Sequence, residues 1–542
     1  MKVVLIAAAG LAAASPAVCE VPYVVAPAGS VRGTSEGAIE AFKGIPYAQA
    51  PVGDLRWKPP TPLPRWEGLR LATEFGPACV QPQEGPPSVY TGAEKMPVSE
   101  DCLSLNIWRP AQAKKAPVLV WIHGGALVAG SSREPMYDGR ALAERGLVVV
   151  TINYRLGVLG WMAHPALSAE SADGVSGNYG LLDQIAALKW VKSNIAAFGG
   201  DPDNVTIAGE SAGALSVMYL MASPRARGLF HRAIAQSAYM ISTPELKRSA
   251  FGAPAAENVG DLVAKGLSAP DLAALRAIDP QELTDETAKL GFAPFGAVDG
   301  RVLPRQLVDA FDLGEQAKVP ILAGFNEGEI RSLTVLAPKP SATAAEYESQ
   351  IRAKYGDLAD AFLALYPADD FRESILATTR DALYGWTAER LVRNQTATGQ
   401  DGFLYLFDHG YPATDEAGLH AFHASELPYV FATFDRTPPR WPRVPDNAVE
   451  RALSDAMIDY WTSFVRDGRP VARKSPAWRP YADNGSFMHF GDRPEPRSML
   501  MPGMFALNET VMCRKRATGT IGWNWNVGLA APVIPAKADG CD

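Results

Sequence analysis

Histidine is scarce in this chain, with seven among 542 residues. Any reaction that needs an imidazole base has few candidates to draw on. Cysteine is scarcer, at five. No basic run is present and the formal net charge is −8, which excludes a phosphate-tracking surface and hence a nucleic-acid partner. No internal repeat and no Ser/Gly linker divides the sequence. No apolar run reaches the length of a membrane span. The stretch from Val3 to Leu11 after Met1-Lys2 is too short and leads into small residues, the pattern of a secretory signal peptide over 1–19. Cleavage after Ala17 or after Cys19 fits the small-x-small rule. Loss of Cys19 leaves four cysteines, an even number suited to an oxidising compartment. A periplasmic or secreted protein is expected. Hydrophobic residues make up 47%, enough for a substantial core.

What is present begins at residues 205–213, Val-Thr-Ile-Ala-Gly-Glu-Ser-Ala-Gly. A β-branched run ends at Gly209, Ser211 follows, and a helix-compatible stretch runs from Ala214 to Met221. G-x-S-x-G between strand and helix is the context of a nucleophile elbow. The turn is too sharp for side chains at its flanks, so Gly stands at 209 and 213. Ser211 is then presented at a helix N-terminus, where the dipole and free N–H groups favour developing negative charge. Upstream, residues 117–127 run from a buried-strand pattern into His123-Gly124-Gly125-Ala126-Leu127. Such a loop supplies backbone donors to an oxyanion, and small residues let the backbone approach the substrate. Gly125, Ala126 and Ala212 are the expected donors, and Gly124 shapes the turn. Glu210, beside the nucleophile, reads as a supporting residue.

An elbow serine needs an acid and then a histidine downstream. His231 follows too soon, and His489 sits in a strand-like run. The cluster His409, His420 and His423 remains, and His423 leads a loop into the apolar segment Leu427–Phe431. For the acid, the buried run Ile321–Phe325 ends in Asn326-Glu327-Gly328-Glu329. Both Glu327 and Glu329 stay open on these residues alone.

Together these segments resemble the type-B carboxylesterase/lipase family, which includes the cholinesterases. Further matches are Phe42-Lys43-Gly44-Ile45-Pro46-Tyr47-Ala48, Glu100-Asp101-Cys102-Leu103, Asn153-Tyr154-Arg155-Leu156-Gly157, Asn178-Tyr179-Gly180-Leu181 and Phe198-Gly199-Gly200-Asp201-Pro202. The resemblance implies an α/β-hydrolase fold: a mostly parallel central sheet flanked by helices, with helical cap insertions forming a gorge. It implies one domain over 20–542, with insertions near 243–290 and 341–400. The strands read at 117–122, 147–153 and 205–209, and the helices near 180–197, from 212 and over 448–467, fit that α/β alternation.

The resemblance also places the acid three residues after an Asn, at Glu329 rather than Glu327, although Ile330 stands where the family has Gly. It makes His423 the base. It pairs Cys79 with Cys102, which leaves Cys513 to Cys541. The activity implied is serine carboxylesterase chemistry on small-molecule esters, with no metal or organic cofactor. Small aryl or aliphatic esters are the default substrates. The family also includes bacterial esterases that remove tricarballylate esters from fumonisins. That substrate carries several carboxylates, for which Arg133, beside Glu134, is the local cation. Leu127, Phe292 and Phe295 are candidate pocket residues, and Trp161 and Tyr137 candidate aromatic ones. The competing readings are a non-catalytic cholinesterase-like binding protein and an amidase or lactonase with the same triad.

Overall fold

The structure, a computed structural model, describes residues 21–85, 87–92, 95–523 and 526–541. The segment expected to be a signal peptide lies outside them. An eleven-stranded sheet organises the chain. Its strands are β1 (Thr34–Glu36), β2 (Ile39–Pro46), β3 (Ser104–Pro110), β4 (Ala116–Ile122), β5 (Val148–Ile152), β6 (Gly200–Glu210), β7 (Arg232–Gln236), β8 (Ile321–Asn326), β9 (Gly402–Phe407), β10 (Ser486–Phe490) and β11 (Pro494–Ser498). Their spatial order is β11-β10-β9-β8-β7-β6-β4-β5-β3-β2-β1. From β10 across to β5 every neighbouring pair runs parallel. The outer strands β1–β3 and β11 pair antiparallel.

The sheet is covered on both faces, as a parallel sheet must be. Side chains alternate along each strand, and the alternation divides two cores. Val118, Val120 and Ile122 of β4 join one core with Leu181, Leu215 and Leu391. Leu119 and Trp121 join the other with Leu453, Met457 and Trp461. The helices behind these contacts are α1 (Tyr179–Asn194), α2 (Ala212–Ala222), α3 (Trp386–Ala397) and α4 (Ala448–Asp467). Helix α4 opens on Asn447, whose side chain accepts from the N–H groups of Val449 and Glu450, and ends at Gly468 in the left-handed conformation, the usual pairing of start and stop residues.

The two segments expected as cap walls behave differently. Residues 243–290 form short helices around a satellite core of Val263, Leu275 and Leu283 with Trp57. Residues 341–400 begin as helices around a second satellite core of Tyr347, Ile351 and Phe362, but α3 packs directly on β8 and β9. Its Leu391 and Val392 are fully buried in the main core, so the end of this segment is a sheet layer and not a cap. Disulfides join Cys79 to Cys102 and Cys513 to Cys541. Among the described residues no helix is long and apolar enough to cross a membrane.

Candidate active site

The carboxyl ends of β4, β6, β8 and β9 converge, and the loops that leave them carry the site. This is the edge at which open α/β sheets bind ligands. Ser211 follows β6 with φ 56° and ψ −121°, a conformation that costs a non-glycine residue of order 1–3 kcal/mol. Its N–H donates to Gln236 O at 2.9 Å, which fixes the turn against β7. The flanking glycines have no room for a side chain. A Cβ on Gly213 would lie 2.1 Å from Ile122 O, and one on Gly209 2.5 Å from the Gly213 carbonyl carbon. Ala212 is the first residue of α2, so its N–H has no intrahelical acceptor.

The loop after β4 turns on Gly125 (φ 99°) and Ala126 (φ 55°). A Cβ on Gly125 would lie 2.2 Å from Ala129 O. Gly124 lets the loop lie against the elbow, where a Cβ would come within 2.9 Å of Glu210 O. His123, fully buried and stacked on Tyr154, is a structural histidine. Burial pushes its pKa down to about 4.

His423 lies on the loop after β9. Its Nδ1 bonds Oε2 of Glu329, and Glu329 is fully buried. The other carboxylate oxygen of Glu329 accepts the Asn326 N–H at 2.9 Å. Asn326 Nδ2 in turn donates to Phe422 O at 2.8 Å, and Gly328 N to Ala421 O at 2.8 Å. The acid loop and the histidine loop are thereby stitched together. Glu327 points elsewhere and pairs with Arg380 at 2.7 Å.

Glu210 is closer to the centre than a supporting residue at a turn. Its Oε1 lies 3.0 Å from His423 Nε2, yet that oxygen is buried with no aligned hydrogen-bond partner among the described residues. Burial pushes the Glu210 pKa up to about 8, with Glu426 and Glu329 adding to the rise against the pull of His423. For His423 burial opposes the charge, but Glu210, Glu329 and Glu426 outweigh it and push the pKa up to about 9.

These groups open into one cavity of about 380 Å³. Ser211, His423, Glu210, Gly125 and Ala126 all line it. The comparisons with known proteins then decide the family. The model described as the carboxylesterase family matches residues 20–502. The chain belongs to the carboxylesterase family. It is 39% identical to the fumonisin B1 esterase of Sphingopyxis macrogoltabida over 483 residues, covering 86% of this chain and 85% of that protein. It is 36% identical to the para-nitrobenzyl esterase of Bacillus subtilis (strain 168), covering 82% and 89%. A crystal structure of a Geobacillus stearothermophilus carboxylesterase superposes with TM-score 0.75 at 35% identity, covering 92% of this chain and 99% of that one. The fold is the α/β-hydrolase fold and the protein is an enzyme of carboxylic-ester hydrolysis.

Several residues expected in the pocket of this carboxylesterase lie elsewhere. Leu127 is fully buried in the main core, because the loop's left-handed turn, φ 60° at this residue, carries its side chain inward. Phe292 packs on the satellite core and Phe295 on the main one. Trp161 is buried beside Tyr219. Arg133 donates to Gly76 O at 3.3 Å and does not line the cavity. Glu134 and Tyr137 do. The remaining histidines are held by carboxylates or backbone: His164 by Asp261, His409 by Glu450 and Asp492, His420 by Asp408 and Asp415, His489 by Asp408, and His231 by the Val205 N–H.

Other residues at the site were not singled out in the sequence. Tyr90 donates to His423 O at 3.0 Å, the Tyr384 ring lies 5.4 Å from the His423 ring, and the Glu426 carboxylate accepts from Asn326 at 2.6 Å and Gln236 at 2.8 Å. Glu426 had a signal, since it lies three residues after His423, between that residue and the apolar segment Leu427–Phe431. The two tyrosines had none. No residue from 243–290 lines the cavity, and 341–400 contributes Tyr384.

Proposed function

We propose that this carboxylesterase cleaves esters by two-step acyl transfer on Ser211. His423 takes the serine proton and Glu329 holds the imidazole in the tautomer that leaves Nε2 free to accept it. The imidazole turns from Glu210 towards Ser211 Oγ as substrate enters, since catalytic hydrogen bonds tighten in the Michaelis complex. The backbone N–H groups of Gly125, Ala126 and Ala212 receive the oxyanion, each worth about 3 kcal/mol of barrier. The alcohol leaves with the proton from His423, and water then releases the acid by the same steps in reverse roles.

The observation that carries this reading is the pairing of His423 Nδ1 with the buried Glu329 carboxylate, in the same cavity as an elbow serine. Small aryl and aliphatic esters are the default substrates for this cavity. Tricarballylate esters are a second candidate on the likeness to the fumonisin B1 esterase, but Arg133, the cation they call for, is turned away. We also propose that residues 1–19 are a leader and that the enzyme is exported, which accords with its two disulfides.

The test is hydrolysis of p-nitrophenyl acetate and butyrate beside a Ser211→Ala variant of equal fold by circular dichroism. Activity that disappears in the variant supports the reading. An inactive wild type that also escapes labelling by an organophosphonate would mark a binding protein. Preference for a matched amide or lactone would mark the amidase or lactonase alternatives.

A further inference from the structure

Several buried and half-buried carboxylates in this protein are paired with arginine. Glu100 lies 2.7 Å from Arg56, Asp183 2.7 Å from Arg155, Glu40 2.7 Å from Arg109 and Glu327 2.7 Å from Arg380. Glu134 breaks the pattern. It lines the catalytic cavity and forms no ion pair among the described residues. The partner its carboxyl finds is the backbone N–H of Ser131, while burial pushes its pKa up to about 7. Holding an ionisable group in such a place without a counter-charge is costly.

The rest of the cavity sharpens the contrast. Among the described residues its lining includes no lysine and no arginine. The second carboxyl in the wall, Glu210, is 3% exposed and faces His423 Nε2 at 3.0 Å. Tyr137 lines the cavity with both acids, and burial first, then Glu134 and Glu210, raise its pKa. Met136, Leu333, Leu336 and Leu427 make much of the remainder apolar. A carboxylate-bearing substrate would meet like charge here. An ammonium group would supply the missing counter-charge.

We propose that Glu134 is a specificity-determining residue that receives a primary or secondary ammonium group of the substrate, making amine-bearing esters the preferred class for this site. The proposal rests on the serine-esterase reading above. An N–H-bearing cation gains a charge-assisted hydrogen bond to the carboxylate. A quaternary ammonium lacks that donor and gains only the field and the ring faces of Tyr90 and Tyr384.

The experiment compares three p-nitrophenyl esters of matched length at pH 8: ε-aminocaproate, heptanoate and the adipate half-ester. The wild type is expected to favour them in that order by kcat/KM. In Glu134→Gln, an isosteric change, the ratio of aminocaproate to heptanoate should fall about tenfold, through KM and not kcat, as loss of one charge-assisted bond predicts. Glu134→Asp should keep part of the preference. A ratio that moves less than about threefold in Glu134→Gln, or a wild type that prefers the adipate half-ester, overturns the proposal and leaves the esterase reading standing. If the wild type hydrolyses none of the three and escapes organophosphonate labelling, both fall together.

Discussion

Replacing Glu329 by Gln should silence the enzyme while replacing Glu327 should not, and the structure gives the reason atom by atom. Glu329 Oε1 accepts the Asn326 N–H at 2.9 Å and Oε2 faces His423 Nδ1. Both neighbours are donors. A glutamine has one acceptor for two donors. If its carbonyl keeps the Asn326 N–H, its NH₂ faces Nδ1, which must then give up its proton and accept. The proton moves to Nε2, the atom that has to take the serine proton. If the amide flips, NH₂ opposes the Asn326 N–H inside a fully buried pocket. Either arrangement ends in the wrong tautomer or an unmade hydrogen bond. In a serine protease, changing the triad aspartate to asparagine traps the same wrong tautomer and lowers kcat by about 10⁴, or roughly 5 kcal/mol of barrier. A loss of that order is expected for Glu329→Gln with KM little changed. In Glu327→Gln the Arg380 pair at 2.7 Å is weakened. That pair is partly exposed, so the cost is about 1 kcal/mol in stability and less than tenfold in kcat. Steady-state kinetics on p-nitrophenyl butyrate, beside thermal melts, measures both. A Glu329→Gln enzyme within tenfold of wild type would refute the assignment of the acid, as would a hundredfold loss in Glu327→Gln.

Further consequences follow from the same geometry. His423 must be neutral to act as base, and the carboxylates around it favour its charged form, with the pKa pushed up to about 9. The acid limb of kcat/KM should therefore lie above the ordinary histidine value of about 6.5, and Glu210→Gln should move it down by about one unit; a limb that stays in place or rises would contradict this. Gly213→Ala sets a Cβ 2.1 Å from Ile122 O, so the end of β4 must give way; a loss of about 2–4 kcal/mol in stability with a steep fall in kcat is expected from melts and kinetics. Cys541→Ser opens the bridge to Cys513, 28 residues away, and should cost roughly 3 kcal/mol, first visible as proteolysis of the tail.

The central strands were legible because a sheet covered on both faces demands near-continuous apolar runs. Residues 117–122 and 147–153 read that way and emerge as β4 and β5. The elbow was legible because only glycine fits at 209 and 213. The acid was not settled by the residues alone, since Glu327 and Glu329 are both carboxylates at a strand end. Register distinguishes their surroundings. The Glu327 N–H still bonds Phe407 O at 2.8 Å, continuing the ladder with β9, and its side chain leaves towards Arg380. Glu329 opens a short helical turn, Glu329–Ser332, and is folded under the sheet edge. The cavity walls were unreadable for a different reason. A left-handed residue such as Leu127 reverses the direction that its neighbours' pattern implies, and Tyr384 reaches the site from a segment over 170 residues away, beyond Ser211.

Glu426 provides a last test of how charge is distributed around the base. Trp461 Nε1 donates to Gln236 Oε1 at 3.0 Å, so the Gln236 amide is pinned with Nε2 towards Glu426 Oε1 at 2.8 Å. Asn326 Nδ2 is pinned in the same way by Phe422 O and donates to Glu426 Oε2 at 2.6 Å. Two fixed donors on its two oxygens call for an ionised carboxylate, even though burial, the larger influence, pushes the Glu426 pKa up. Glu426→Gln should thus do two separable things. One amide NH₂ will face a pinned NH₂, a buried clash worth about 1–3 kcal/mol of stability. Removal of the negative charge will lower the His423 pKa and move the acid limb of kcat/KM to lower pH. A variant that loses stability without moving the limb would show that Glu426 is neutral at rest and that the base feels Glu329 and Glu210 alone.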